Sequence, residues 1–412
     1  MTKDFTPVSA LNVMLDFGGT PVPVGRLARR DGKVFFEYGA GFIAKKLELS
    51  PFKLPLTPGL QVFEPGLFEG LPGLFNDSLP DGWGRLLLDR ALRRKGIAPE
   101  SFSPLDRLAH VGASGMGALV YAPDYSEDVQ EKAVNLDALA DQSQAILEGN
   151  SEEVFEELLA LGGSPQGARP KAMIGVNLDK SKVIQGVEDL PAGYEPWLVK
   201  FANAADGHDA GAIEYVYSLM AQEAGLEMMD AHLFPAKKGA GYFATRRFDR
   251  TENGGRLHMH TACGLLHSDF RVPSLDYQDL IKATMILTRD IREAQKMYRL
   301  AVFNVLSHNR DDHAKNFSFL MDETGAWRMA PAYDLTFSSG PGGEQSTMVM
   351  GEGKNPGIEH LLKLAEVADL SRADAQRIID ETVTAVLQWK ELAKSCGVSK
   401  ANIKRIGDVI GV

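Results

Sequence analysis

Long apolar runs are missing from this 412-residue chain. No window approaches the roughly 18 to 20 apolar residues that a membrane-spanning helix needs. The opening residues, Met1-Thr-Lys-Asp-Phe-Thr-Pro7, hold no apolar stretch of a secretory signal, so none is expected. Cysteine is scarce: Cys263 and Cys396 stand far apart, without metal-ligand spacing. That excludes a disulfide framework and fits a reducing cytoplasm. Positive charge is also short, with 44 Lys and Arg against 55 Asp and Glu and a net charge of −11. Such a chain is poorly suited to grip a nucleic-acid duplex by itself, although a basic partner could do so. Internal repeats and low-complexity tracts are absent. What is present is ordinary for a globular protein, 44% hydrophobic and 24% charged. The length implies two or three domains.

The first part of the chain is rich in Gly and Pro, with short apolar runs. Val22-Pro-Val-Gly-Arg-Leu27 and Lys33-Val-Phe-Phe-Glu-Tyr38 read as strands joined by the turn Arg30-Asp-Gly32. Gly82 to Arg94 has helical spacing and a basic end. Gly112-Ala-Ser-Gly-Met-Gly-Ala-Leu-Val-Tyr121 reads as a glycine loop running into a strand. From Asp124 to about Leu161 the chain turns acidic and helical. A second glycine loop, Gly162 to Lys171, opens into a strand ending near Val176. Further strands are expected at Trp197–Phe201 and Gly241–Arg250, with a helix from Ile213 to Ala224 stopped by Gly225. Helices dominate afterwards, at Arg292–Leu306 and from Leu361 to Ala393. The fold class is therefore α+β. A small N-terminal α/β domain (1–125) and a helical connection (126–160) precede a two-lobed, protein-kinase-like body (161–412). Its mixed β lobe would span about 161–255 and its helical lobe about 256–412.

The chemistry concentrates in Ser307-His-Asn-Arg-Asp-Asp-His-Ala-Lys-Asn316 and in Ala330-Pro-Ala-Tyr-Asp334. Asp311 and Asn316 are five residues apart, the separation between the base and the metal-binding amide in a kinase catalytic loop. Taken alone, an Asp in such a loop is an ordinary exposed residue. The spacing is what selects Asp311 over its neighbour Asp312. Lys315 lies between and could neutralise a transferring phosphate. A hairpin through the turn Asp322-Glu-Thr-Gly325 would bring Asp334 back beside Asn316, where both could share Mg²⁺.

Lys200 interrupts the apolar strand Leu198-Val-Lys-Phe201. A buried ammonium needs a partner, so a phosphate or a carboxylate is expected there, and Glu214 is the natural carboxylate. An edge strand turned to water is the plain alternative. The loop Gly162 to Lys171 could let backbone N–H groups approach phosphate oxygens, though it is no Walker A sequence. His258, His260 and His267 are better read as strand-face residues than as ligands. His308, Asp311 and His313 form the rival use of the same loop, a metal site. Gly112-Ala-Ser-Gly115 fails the nucleophile-elbow pattern, which leaves Ser114 structural.

In this order the motifs resemble those of the HipA family of serine/threonine kinases, the toxin halves of bacterial toxin–antitoxin pairs. Asn76-Asp-Ser-Leu-Pro-Asp-Gly-Trp-Gly-Arg85 looks like the family's N-terminal motif. Ser164-Pro-Gln-Gly-Ala-Arg-Pro-Lys171 looks like its glycine-rich loop. Leu198-Val-Lys200, Arg247-Phe-Asp-Arg250, Asp311 to Asn316 and Tyr333-Asp334 follow. The resemblance implies ATP and Mg²⁺ as cofactors and gives roles to residues. Asp311 would be the catalytic base, with Lys315 beside it. Asn316 and Asp334 would hold Mg²⁺. Gln166, Gly167, Ala168, Arg169, Pro170 and Lys171 would cover the phosphates that Lys200 contacts. The backbone of Arg246, Arg247 and Phe248 would hold the adenine, and His313, Lys315 and Tyr333 would line the same site. Ser164 matches the autophosphorylated serine whose modification silences the kinase. A phosphate added to a loop that cradles phosphate would oppose ATP binding. Pro165 after Ser164 and the run Leu265-Leu-His-Ser-Asp269 depart from the family pattern.

The resemblance therefore implies a cytoplasmic, ATP- and Mg²⁺-dependent serine/threonine protein kinase that acts as a toxin. It would phosphorylate a translation component, such as an aminoacyl-tRNA synthetase, and itself at Ser164. Its partner would be a small helix-turn-helix antitoxin, through which alone it would meet DNA. The alternatives are a small-molecule kinase of the same fold and a catalytically minor co-repressor.

Overall fold

Five antiparallel strands open the computed structural model, which describes residues 7–126, 132–149, 156–162, 167–186, 190–203 and 206–412. Their order across the sheet is Gln61–Phe63, Lys33–Tyr38, Val22–Arg30, Ala10–Leu15 and Leu119–Ala122. The hairpin predicted at Arg30-Asp-Gly32 forms: Arg30 pairs with Lys33, and Asp31 and Gly32 take φ of 51° and 79°. Alternate residues are buried in Ala10–Leu15 (Leu11, Val13, Leu15) and in Lys33–Tyr38 (Val34, Phe36, Tyr38), while in Val22–Arg30 a bulge opposite Val13 and Met14 puts the buried Val24 and Leu27 three residues apart. A period of two on a half-covered sheet explains the alternation.

The chain falls into two compact units. The first comprises Met1–Ala204, Asp249–His260 and Met321–Gly325; the second comprises Ala205–Phe248, Thr261–Leu320 and Ala326–Val412. The first unit adds the predicted helix Gly82–Arg94 and the helix Pro104–Val111 to the sheet. Ser103 and Asp106 close the second of these with a reciprocal capping box. The unit also holds three further strands, in which Lys171–Asn177 pairs antiparallel with both Val183–Gln185 and Tyr194–Lys200.

The second unit is mainly helical. Its strands Ala231–Phe234 and Tyr242–Arg246 pair antiparallel. The helix Ala210–Glu223 lies so close to them that a side chain on Gly211 would collide with the carbonyl of Gly241. The strand expected at Gly241–Arg250 ends at Arg246. Just past it, within the first unit, Asp249 accepts from Gly117 N–H at 2.7 Å and Arg250 donates to Asp249 at 2.7 Å. These tertiary bonds replace a continued ladder.

The helix Ile291–Leu306 buries Ala294, Met297, Tyr298, Ala301 and Val302, the spacing of a core-facing stripe. Asp290 caps its start by accepting from Arg292 N–H. At the other end Tyr217 donates its hydroxyl to the carbonyl of Ser307 at 2.6 Å, satisfying a terminal acceptor. His308 follows in the left-handed region at φ 58°, and the chain leaves the helix there. The predicted hairpin forms as Ser318–Met321 paired with Trp327–Met329. Four helices close the chain: Ile358–Val367, Arg372–Val386, Trp389–Ser395 and Lys400–Ile410. Among the described residues no helix is long and apolar enough to cross a membrane.

Candidate active site

Two aspartates stand side by side in the loop after Ile291–Leu306, and the fold treats them oppositely. Asp312 is 1% exposed. Its carboxylate accepts from Tyr277 Oη at 2.7 Å, Gln345 Nε2 at 3.0 Å, Ser346 N at 2.9 Å and Thr347 N at 3.2 Å. Burial pushes its pKa up to about 7, although those donors pull it down. Tyr277 in turn accepts from Asn304 Nδ2 at 2.8 Å, and Asn304 accepts from Asn309 Nδ2 at 2.9 Å. Asp312 thus ties the loop to two helices and to the segment 345–347. Asp311, one residue earlier, is exposed. An exposed carboxylate on a fixed backbone can meet an incoming hydroxyl; a buried one with four donors on it cannot.

Asn316 donates from Nδ2 to the carbonyl of Asp311 at 2.7 Å. The bond engages the donor end of the amide and turns its oxygen the other way, as a cation ligand requires. Ala330 N–H donates to Ser318 O at 2.8 Å, which starts the return of the chain after the hairpin. Tyr333 then donates its hydroxyl to the carbonyl of Lys315 at 2.5 Å and lies 2.6 Å from Ser318 Oγ. Lys315 and Asn316 on one side, and Tyr333 and Asp334 on the other, are therefore joined through one hydrogen bond. Asp334 has φ 57°, a left-handed conformation that Asp tolerates better than most residues. Ser338 N–H donates to the carbonyl of His308, and Ser346 N–H to that of Arg310, so the neighbouring segments are pinned to the same loop.

The expected nucleotide-site residues of this unit meet through aromatic rings. Phe248 packs on Tyr333 at 5.2 Å between ring centroids. Lys315 Nζ sits 4.5 Å from the centroid of the Phe270 ring, and His313 packs on that ring at 5.4 Å. A cation over an aromatic face is held without losing its charge. Phe270, Tyr277 and Gln345 are site neighbours that the local sequence does not mark. The nearest signal is the departing run Leu265–Asp269, which Phe270 follows. Arg246 ends its strand, with its N–H on Asp230 O at 2.9 Å, and Arg247 is buried. Glu214 lies buried inside Ala210–Glu223.

In the first unit Lys171 and Lys200 stand directly opposite each other on paired strands. Like charges in that position repel, and an anion between them would relieve the repulsion. Lys171 is 5% exposed, and its Nζ lies against Gly167, where any side chain would strike it. Gly167, at φ 104°, begins the described part of the glycine loop and is followed by Ala168, Arg169 and Pro170. Ser164 and Gln166 lie outside the described residues.

The rival metal readings find no matching geometry. Among the described residues no group of three His, Cys, Asp or Glu side chains is poised to hold a metal ion. His308 bonds the carbonyl of Ser338 through Nδ1 at 3.1 Å and stacks on Phe337. His260 bonds Asp77 at 2.6 Å and Ser50 at 2.9 Å, and His258 bonds the carbonyl of Leu49 at 3.0 Å. Ser114 donates to Val111 O at 2.8 Å, a turn bond. An Asn and an Asp do suit Mg²⁺, which keeps several waters and takes one or two protein ligands besides phosphate.

Comparison with known proteins bears on the family and the fold. Residues 163–390 match the family model of the HipA-like C-terminal domain, and residues 12–122 match that of the HipA N-terminal domain. A curated relative from Sinorhizobium fredii (strain NBRC 101917 / NGR234), named "Putative kinase Y4mE", is 25% identical over 370 residues, covering 82% of this chain and 83% of its own. Among solved structures, HipA from a Shewanella oneidensis MR-1 complex of HipA, HipB and operator DNA superposes with a TM-score of 0.69. That match covers 97% of this chain and 95% of the other at 15% identity, a likeness of fold. This chain, with both domain models matched in order, belongs to the HipA family and shares the fold of the Shewanella HipA structure.

Proposed function

We propose that this chain is a Mg²⁺- and ATP-dependent protein kinase that phosphorylates serine or threonine hydroxyls and serves as the toxin of a toxin–antitoxin pair. One observation carries the reading: the loop buries Asp312 under four donors while leaving Asp311 exposed, five residues before an amide already oriented by Asp311's own carbonyl. Asp311 orients the acceptor hydroxyl and takes its proton as the phosphoryl group moves. Lys315, held over Phe270, offers positive charge to that group. Lys171 and Lys200 bind the phosphates beneath the loop from Gln166 to Lys171. The backbone of Arg246 to Phe248 holds the adenine, with Tyr333 and His313 lining the site and Glu214 supporting the lysine. A magnesium ion on Asn316 and Asp334 would neutralise phosphate charge as it builds. Phosphoryl transfer needs little more than this positioning and charge.

Phosphorylation of Ser164 would place nearly two negative charges where the phosphates bind and so silence the enzyme. The partner we propose is a small helix-turn-helix antitoxin that carries the DNA contact. The substrate would be a component of translation, and the location the cytoplasm. The domain limits proposed are 1–125, 126–160 and 161–412. Incubation with Mg·ATP labelled on the γ-phosphate, in a bacterial lysate, tests the reading. It predicts label in protein bands on serine or threonine. Label confined to small molecules would move the acceptor to a different class.

A further inference from the structure

The motif Asn76–Arg85 has no part in the reaction proposed above, yet three of its consecutive residues touch the glycine-rich loop within the first unit. Asp81 is the N-cap of the helix Gly82–Arg94, where an aspartate ordinarily accepts the helix's own N–H groups. It makes no such bond; its carboxylate accepts instead from the backbone N–H of Gly167. Gly82, at φ 38°, stands so near the loop that a Cβ would lie 2.6 Å from the Cα of Ala168. Trp83 donates its backbone N–H to the carbonyl of Gly167 at 3.1 Å. Its indole Nε1–H donates to the carbonyl of Lys171 at 3.2 Å. The indole is 1% exposed, so that acceptor is one it requires. Both ends of Gly167–Lys171 are therefore bonded to the start of one helix.

We propose that Asp81 and Trp83 are positioning residues that clasp Gly167–Lys171 in the shape that receives nucleotide phosphates. The proposal rests on the nucleotide reading given above. A loop with glycine in the left-handed region has many conformations to lose when it closes on a ligand. Fixing it beforehand removes that cost from binding, so the clasp acts on ATP affinity rather than on the chemical step. Neither side chain needs to touch the phosphates. The N-terminal domain is thereby a part of the nucleotide site and not an appendage to it.

The test compares Asp81→Ala, Asp81→Asn and Trp83→Phe in the full-length protein. Asparagine keeps an acceptor oxygen, and phenylalanine keeps a buried ring while deleting the indole donor. Two readouts are taken: KM for Mg·ATP beside kcat, and hydrogen exchange of residues 167–176 without nucleotide. Asp81→Ala is expected to speed exchange in that segment and raise KM about tenfold, with a smaller change in kcat. Asp81→Asn should recover most of both, and Trp83→Phe should fall between. Exchange and KM at wild-type levels in Asp81→Ala overturn the clasp. So does an equal loss of kcat and thermal stability in Asp81→Ala and Asp81→Asn with KM unchanged, which would mark a merely structural role. A wild-type protein that neither binds nor uses Mg·ATP would defeat the kinase reading, and hydrogen exchange would still decide whether the clasp exists.

Discussion

Replacing Asp311 and Asp312 by alanine, one at a time, should produce opposite phenotypes from adjacent residues. Asp312→Ala removes both oxygens from a buried site and strands four donors: Tyr277 Oη, Gln345 Nε2, Ser346 N and Thr347 N. A stranded buried donor costs about 1–3 kcal/mol. The Tyr277 hydroxyl can rotate and water can enter the vacated space, which leaves a net loss of about 3–5 kcal/mol. Asp311→Ala removes an exposed side chain and should cost less than about 0.5 kcal/mol. Urea unfolding followed by circular dichroism measures both. Activity should reverse the order of interest: Asp311→Ala unfolds like the wild type and transfers no phosphate. Equal destabilisation by the two changes, or a fully stable Asp312→Ala, would refute the division of roles between them.

Other predictions follow from the same structure. Lys200→Met should weaken ATP binding by about 10- to 100-fold, the worth of one charge-assisted hydrogen bond, as read by calorimetry. His258 is buried, and burial chiefly, helped by the neighbouring His260, lowers its pKa to about 3 from an ordinary 6.5. At His258 the unfolded chain therefore binds the extra proton first, and this residue's contribution to stability falls as pH drops below 6.5. Between pH 7 and pH 5 this one residue should account for about 2 kcal/mol of lost stability. The stability difference between wild type and His258→Gln should therefore change by about 2 kcal/mol over that window, whatever other groups such as Asp312 contribute, and a constant difference would contradict the burial argument.

Local signals made much of this fold legible. The helix Gly82–Arg94, the turn at Asp31-Gly32 and the hairpin after Asn316 all rest on periodicity and turn chemistry within a few residues. Spacing to Asn316 singles out Asp311 in the sequence, and the burial of Asp312 supplies a physical reason for it. What stayed hidden is tertiary. Gln345 and Tyr277 reach Asp312 from distant segments, and no pattern near either residue marks it. The alternation of Phe248 with its polar neighbours predicts a strand as far as Arg250, but the strand that forms is Tyr242–Arg246. Asp249 and Arg250 are instead drawn to the loop at Gly117. The motif at Asp81 to Trp83 could be seen in the sequence, but its attachment to a loop far along the chain could not.

The most direct test of the central claim is phosphosite mapping by mass spectrometry after incubation with Mg·ATP, for the wild type beside Asp311→Ala and Asp334→Ala, with ATP binding of each measured by calorimetry. The account predicts phosphoserine or phosphothreonine with the wild type alone, while Asp311→Ala still binds ATP. Undiminished phosphorylation by Asp311→Ala would contradict it.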